Sequence, residues 1–74
     1  MSQIIPLGNR VVLQTRSTGQ ESGLFEAVVV EPGMSGLDVG QIVIVRRLFG
    51  DRWLDGDREL FIVHADDIYA KVVK

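Results

Sequence analysis

The stretch from Gly40 to Arg47, Gly-Gln-Ile-Val-Ile-Val-Arg-Arg, constrains this chain more than any other. Ile42 to Val45 are four consecutive β-branched apolar residues without polar alternation, opened by a glycine and closed by two arginines. A short strand of this kind needs apolar cover on both faces. The domain's own core supplies one cover. With 74 residues and no helical period, the chain has little to place on the other side, so a neighbouring subunit is the expected second cover.

The core of so small a domain is thin, because it buries only roughly 60% of the surface its unfolded chain exposes. The usual staples of small folds are missing: there is no cysteine, and a single histidine stands among scattered acids. Oligomerisation is the staple that remains. Missing thiols fit a reducing compartment. Met1-Ser2-Gln3 carries no basic n-region, and no apolar run approaches the ~18 residues of a membrane span. The expectation is a soluble, cytoplasmic protein with no membrane contact. Eight basic and ten acidic residues give a net charge of −2, which argues against a nucleic-acid binder driven by phosphate neutralisation.

Along the chain, Ile4-Ile5-Pro6-Leu7 reads as an extended segment, and the missing amide of Pro6 sends it to a sheet edge or a subunit junction. Gly8-Asn9 reads as a tight turn. Arg10 to Gln14 is the first firm strand. Thr15 to Ser22 contains no large apolar residue to offset its ordering entropy and is expected to be a mobile loop, ending in Gly23-Leu24-Phe25. Ala27 to Val30 forms the next strand, stopped by Pro32-Gly33 in the central positions of a type II turn. Met34 to Val39 connects it to the strand at Gly40. Asp55-Gly56 predicts a hairpin pairing Arg52–Leu54 with Glu59–Val63 through a type I′ turn. His64 to Asp67 reads as one helical turn capped by Asp66-Asp67, and Ile68 to Val73 as a final strand. Short strands without a helix period indicate a single all-β domain, most economically a small irregular β-barrel that removes its edges by closure.

Catalysis has little to work with. His64 has no cysteine to activate and no serine in a Gly-x-Ser-x-Gly elbow, so it is read as a structural residue at a strand end. Asp51, Asp55, Asp57 and Glu59 lack the spacing of a calcium loop. Gly33, Gly36 and Gly40 lack that of a phosphate cradle. No catalytic residue, cofactor or metal is therefore assigned. Arg46, Arg47, Arg52 and Arg58 around Phe49 and Trp53 could form a base-stacking face, which keeps an oligonucleotide-binding barrel as a minor alternative.

Three segments carry a resemblance: Pro6-Leu7-Gly8-Asn9-Arg10-Val11-Val12, Val39-Gly40-Gln41-Ile42-Val43-Ile44, and Phe61-Ile62-Val63-His64-Ala65-Asp66-Asp67-Ile68-Tyr69-Ala70. In this order they resemble the GroES co-chaperonin family, and Asp55 to Glu59 looks like that family's turn before its penultimate strand. The resemblance implies a GroES-like β-barrel that assembles into a heptameric ring and caps a chaperonin of the GroEL type, assisting ATP-dependent folding. It implies a subunit interface of Ile4, Ile5 and Leu7 against Ile68, Tyr69 and Val72 of a neighbour. It also implies a partner-binding loop whose apolar tip is Ser22, Gly23, Leu24 and Phe25. Two departures stand out: the loop is shorter than the family's, and most of the roof hairpin between Pro32-Gly33 and Asp38-Val39 is missing. A GroES-like barrel serving as a structural module, such as a ring or cement component of a virus particle, is the alternative function.

Overall fold

β-Branched runs punctuated by glycines with left-handed backbone build six strands and one short 3-10 turn. The computed structural model describes residues 4–16, 23–46 and 51–73. In chain order they are β1 (Arg10–Thr15), β2 (Phe25–Glu31), β3 (Ile42–Val45), β4 (Asp51–Asp55), β5 (Arg58–His64), the 3-10 turn Ala65–Asp67, and β6 (Ile68–Lys71). They join in a single sheet of order β4-β5-β1-β2-β3-β6, antiparallel at every pairing. The chain is thus an all-β domain, and among the described residues no helix is long and apolar enough to cross a membrane.

Residues directly opposite one another in a sheet share a face, and this register builds the core. Val11 stands opposite Val63, Leu13 opposite Phe61 and Val29, Ala27 opposite Val43, and Phe25 opposite Val45. The sheet coils around that face, burying Val11, Leu13, Ala27, Val29, Val43, Val45 and Val63 in one cluster edged by Phe25, Leu37, Phe61, Ala65 and Ile68. Each fully buried valine or leucine among them contributes roughly 1.5–3 kcal/mol through burial. On the other face, among the described residues, only Val12 and Leu60 are fully buried.

β3 alternates, with Val43 and Val45 buried and Ile42 and Ile44 half-buried. Its own chain therefore covers one face completely and the other in part.

Five expectations change. The barrel does not close: β4 and β6 lie at opposite ends of the sheet order. Closure is one way to remove edges, and this chain uses another, two short edge strands of which β4 carries Asp51, Arg52 and Asp55. The loop after β1 starts later than composition suggests, since Thr15 pairs with Ala27 and the Arg16 amide donates to the Glu26 carbonyl at 3.0 Å. Backbone pairing there needs no apolar side chain. The hairpin strands reach Asp51–Asp55 and Arg58–His64, leaving Gly56-Asp57 as the loop. Only Gly56 has positive φ (63°), at the first central position, which is the type II′ pattern and not I′. Likewise, the turn after β2 is closed by the Ser35 amide on the Pro32 carbonyl at 3.1 Å. Pro32 is its first residue and Gly33-Met34 its centre, with Gly33 at φ 58°. Finally, no side chain caps the 3-10 turn; Asp66 instead accepts from the Asn9 side-chain amide at 3.4 Å.

Candidate functional site

Two surfaces in the described residues are left open by the fold. The first is an arm, Ile4 to Asn9, that runs outside the sheet. Its residues alternate: Ile4 is half-buried and Pro6 buried, while Ile5 and Leu7 are 65% and 75% exposed. The Pro6 ring sits over Gly33, so close that a Cβ on Gly33 would lie 2.9 Å from Pro6 Cγ and 2.9 Å from the Arg10 carbonyl oxygen. At its other end the arm is tied down by the Ala65 amide donating to the Asn9 carbonyl at 2.9 Å, and the Arg10 guanidinium donates to the Leu7 carbonyl at 3.3 Å.

The second surface is the outer edge of β6. β3 and β6 are paired Val43 to Lys71 and Ile44 to Ala70, then shift so that Val45 faces Ile68, which leaves Tyr69 as the extra, exposed residue. Beyond Lys71 the ladder continues: the Val72 amide donates to the Ile42 carbonyl at 2.8 Å, and the Gln41 side-chain amide donates to the Val72 carbonyl at 2.7 Å. Gln41 thus supplies one more rung and holds the C-terminal segment straight. An open groove between Asp38–Ile42 and Val72–Val73 lies beside that rung. Since Val72 turns its backbone inward, Lys71 and Val73 turn theirs outward by strand alternation.

These placements divide the interface residues named by resemblance. Ile5, Leu7 and Tyr69 present their side chains outward, and Ile4 and Val72 are half-buried. Ile68 packs its side chain on the core of its own chain. Val73, exposed at the end of the same edge, was not singled out in the sequence, because its position depends on Gln41.

In the loop segment, Ser22 lies outside the described residues. Gly23 is exposed with φ 81°, and Leu24 is half-buried. Phe25 is the first residue of β2, opposite Val45, and packs against the core cluster. An Arg16–Glu26 ion pair at 4.0 Å flanks the loop base.

The expected basic, aromatic face lies only in part within the described residues, where Arg46 is exposed. Arg47 and Phe49 lie outside the described residues. Arg52 and Trp53 are neighbours on β4 and so point to opposite faces. Arg52 meets Glu59 at 3.5 Å and Arg58 meets Asp55 at 2.8 Å, so carboxylates neutralise both charges. His64 is exposed at the end of β5, opposite Arg10. Among the described residues no three His, Cys, Asp or Glu side chains converge as metal ligands. No protein-family model and no curated protein sequence matches this chain.

Proposed function

We propose that this chain is the subunit of a homo-oligomeric ring of GroES type, heptameric by resemblance. The ring caps a chaperonin of the GroEL type in the cytoplasm through the connection between β1 and β2. One observation carries the reading: a single chain holds both an apolar arm with Ile5 and Leu7 outward and an uncovered β6 edge, and neither satisfies the other within the subunit. Surfaces that differ and complement one another join head to tail, and a head-to-tail contact closes into a ring when the rotation allows. The family-like segments coincide with these parts. Pro6 to Val12 spans most of the arm and the start of β1, Val39 to Ile44 contains the Gln41 rung, and Phe61 to Ala70 leads into β6.

Leu24 is the loop residue best placed to dock, since Phe25 belongs to β2. Co-purification with a GroEL-type chaperonin in ATP or ADP tests the reading. Capture that is lost in Leu24→Ser while the ring persists supports it. A second reading, a GroES-like structural module without a chaperonin partner, is favoured by the packing of Phe25 on the core, because a residue held there is not free to dock. An intact ring that captures no chaperonin in either nucleotide selects that second reading.

A further inference from the structure

We infer that the outer edge of β4 is a docking strand for an extended, basic segment of another protein, which adds antiparallel to the sheet with an arginine or lysine over Trp53. The inference stands apart from the ring reading, because β4 and β6 lie at opposite ends of the sheet order. Hairpin geometry fixes which groups are on offer. The two-residue loop Gly56-Asp57 makes Asp55 and Arg58 the closing hydrogen-bonded pair, so by alternation Asp55, Trp53 and Asp51 turn their amides and carbonyls toward β5. Arg52 and Leu54 turn theirs away from the sheet, and among the described residues no strand pairs with them there. An added strand therefore bonds to Arg52 and Leu54. Its residue opposite Trp53 falls in a non-hydrogen-bonded pair, the kind in which side chains approach most closely. Trp53 shares its face of the strand with Asp51 and Asp55.

The charge of this hairpin chooses the occupant. Asp51 to Leu60 holds four acids and two arginines, a net −2, so the whole excess negative charge of the chain resides in this one hairpin. Arg52 pairs with Glu59 and Arg58 with Asp55, which leaves Asp51 and Asp57 without a partner among the described residues. Trp53 and Leu54 are exposed beside them. A cation opposite Trp53 is attracted both by the face of the indole ring and by Asp51 on the diagonal. Leu54 gives the neighbouring position of the added strand an apolar contact on the opposite face. A second copy fits poorly. Two β4 strands paired about Trp53 would set Asp51 opposite Asp55, a like-charge pair. In an antiparallel ladder with β6, the outward backbone of Lys71 would put it opposite Arg52 or Leu54 and never opposite Trp53. The charge that blunts this edge against copies of the chain thus selects a basic partner.

Fluorescence anisotropy of a labelled, end-capped peptide that alternates arginine with valine, titrated with the full chain, tests this. Two further peptides accompany it: one with glutamate in place of arginine, and one with N-methyl valines, which keeps the charge but removes the donors that face β4. The expected result is saturable binding of the arginine peptide, with the emission of Trp53, the one tryptophan, changing in step. Binding is expected to weaken at least about tenfold with either altered peptide and in Asp51→Lys. Asp38→Lys, the same charge change at an exposed site outside the hairpin, stays within about twofold of wild type. Native mass spectra of wild type and Asp51→Lys are expected to agree. Binding that survives N-methylation would be charge attraction without strand addition and overturns the inference, as do equal losses in Asp38→Lys and Asp51→Lys, or no saturation below about 1 mM. An assembly state changed by Asp51→Lys gives the edge to a second copy, and also overturns it. Circular dichroism checks the folding of the variants, and the N-methyl comparison, made on wild type, decides even where a variant fails to fold.

Discussion

Leu13 and Leu54 show how differently one residue type acts in this small sheet. Leu13 has no exposed surface and sits in the middle of the core cluster, whereas Leu54 is 62% exposed on an edge strand. Truncating a buried leucine removes its transfer free energy and leaves a cavity, at a cost of about 2–5 kcal/mol. That is a large share of the 5–15 kcal/mol, roughly, that a domain has in total. Leu13→Ala is therefore expected to shift the urea midpoint steeply or unfold the chain, and Leu54→Ala to stay within about 0.5 kcal/mol of wild type. Equal shifts for the two would contradict the assignment of the core face. The apolar runs made the strands that carry Leu13, Val29 and Val43 legible, but not which face of each strand is core. Pro6 was not legible as buried. Its burial depends on a glycine in a distant turn, and a proline near a chain's start reads equally well as an exposed edge.

At the scale of elements, glycine and proline punctuation located the strands; pairing lengthened β1, β2, β4 and β5, left β3 at Ile42–Val45, and ended β6 at Lys71, short of the expected Val73. Composition ended β1 at Gln14 because Thr15 and Arg16 are polar, yet both join the ladder to β2 through the backbone. The Asp-Gly signal found the hairpin but misplaced its turn by one residue, since the same dipeptide serves as a whole I′ loop or as the last strand residue followed by the first loop residue. What decides here is Asp55, which remains in β4 and meets Arg58 at 2.8 Å across the loop. The two turn types predict opposite effects at Asp57. In a I′ turn over Gly56-Asp57, Asp57→Gly would relieve left-handed backbone and stabilise the hairpin. With positive φ confined to Gly56, the same change only adds unfolded-state entropy and is expected to lower stability by about 0.4–1 kcal/mol. Gly56→Ala, forced into left-handed backbone, is expected to cost about 1–2 kcal/mol. Thermal melts of the two variants check the sign at Asp57, and a rise in melting temperature there would mean a I′ turn over Gly56-Asp57 in place of II′.

On the scale of the whole molecule, the sheet has two ends with different characters. β4 is blunted by charge, with Asp51 and Asp55 flanking its exposed Trp53 and Leu54, while β6 is irregular at Tyr69 and is extended past Lys71 by the Gln41 rung. The expectation of a closed barrel came from the general need to hide edges; the open sheet leaves the β6 edge for the proposed ring to cover. Lys71→Pro isolates the point. Its amide faces away from β3, so losing it leaves the subunit's own ladder intact while deleting a donor to any strand added outside. The variant is expected to fold as a monomer.

The proposed partner binding then follows from arithmetic. Burying Leu24 contributes roughly 1.5–3 kcal/mol, and ordering even four loop residues costs about 4–8 kcal/mol of backbone entropy. One loop holds nothing, and a ring of loops binds through effective concentration while each copy still releases quickly. Lys71→Pro should therefore abolish chaperonin capture with Leu24 and its loop untouched, as read by co-purification beside a native mass spectrum. Capture by the monomeric variant would mean that a single loop suffices, and a ring that persists in Lys71→Pro would move the seam away from β6.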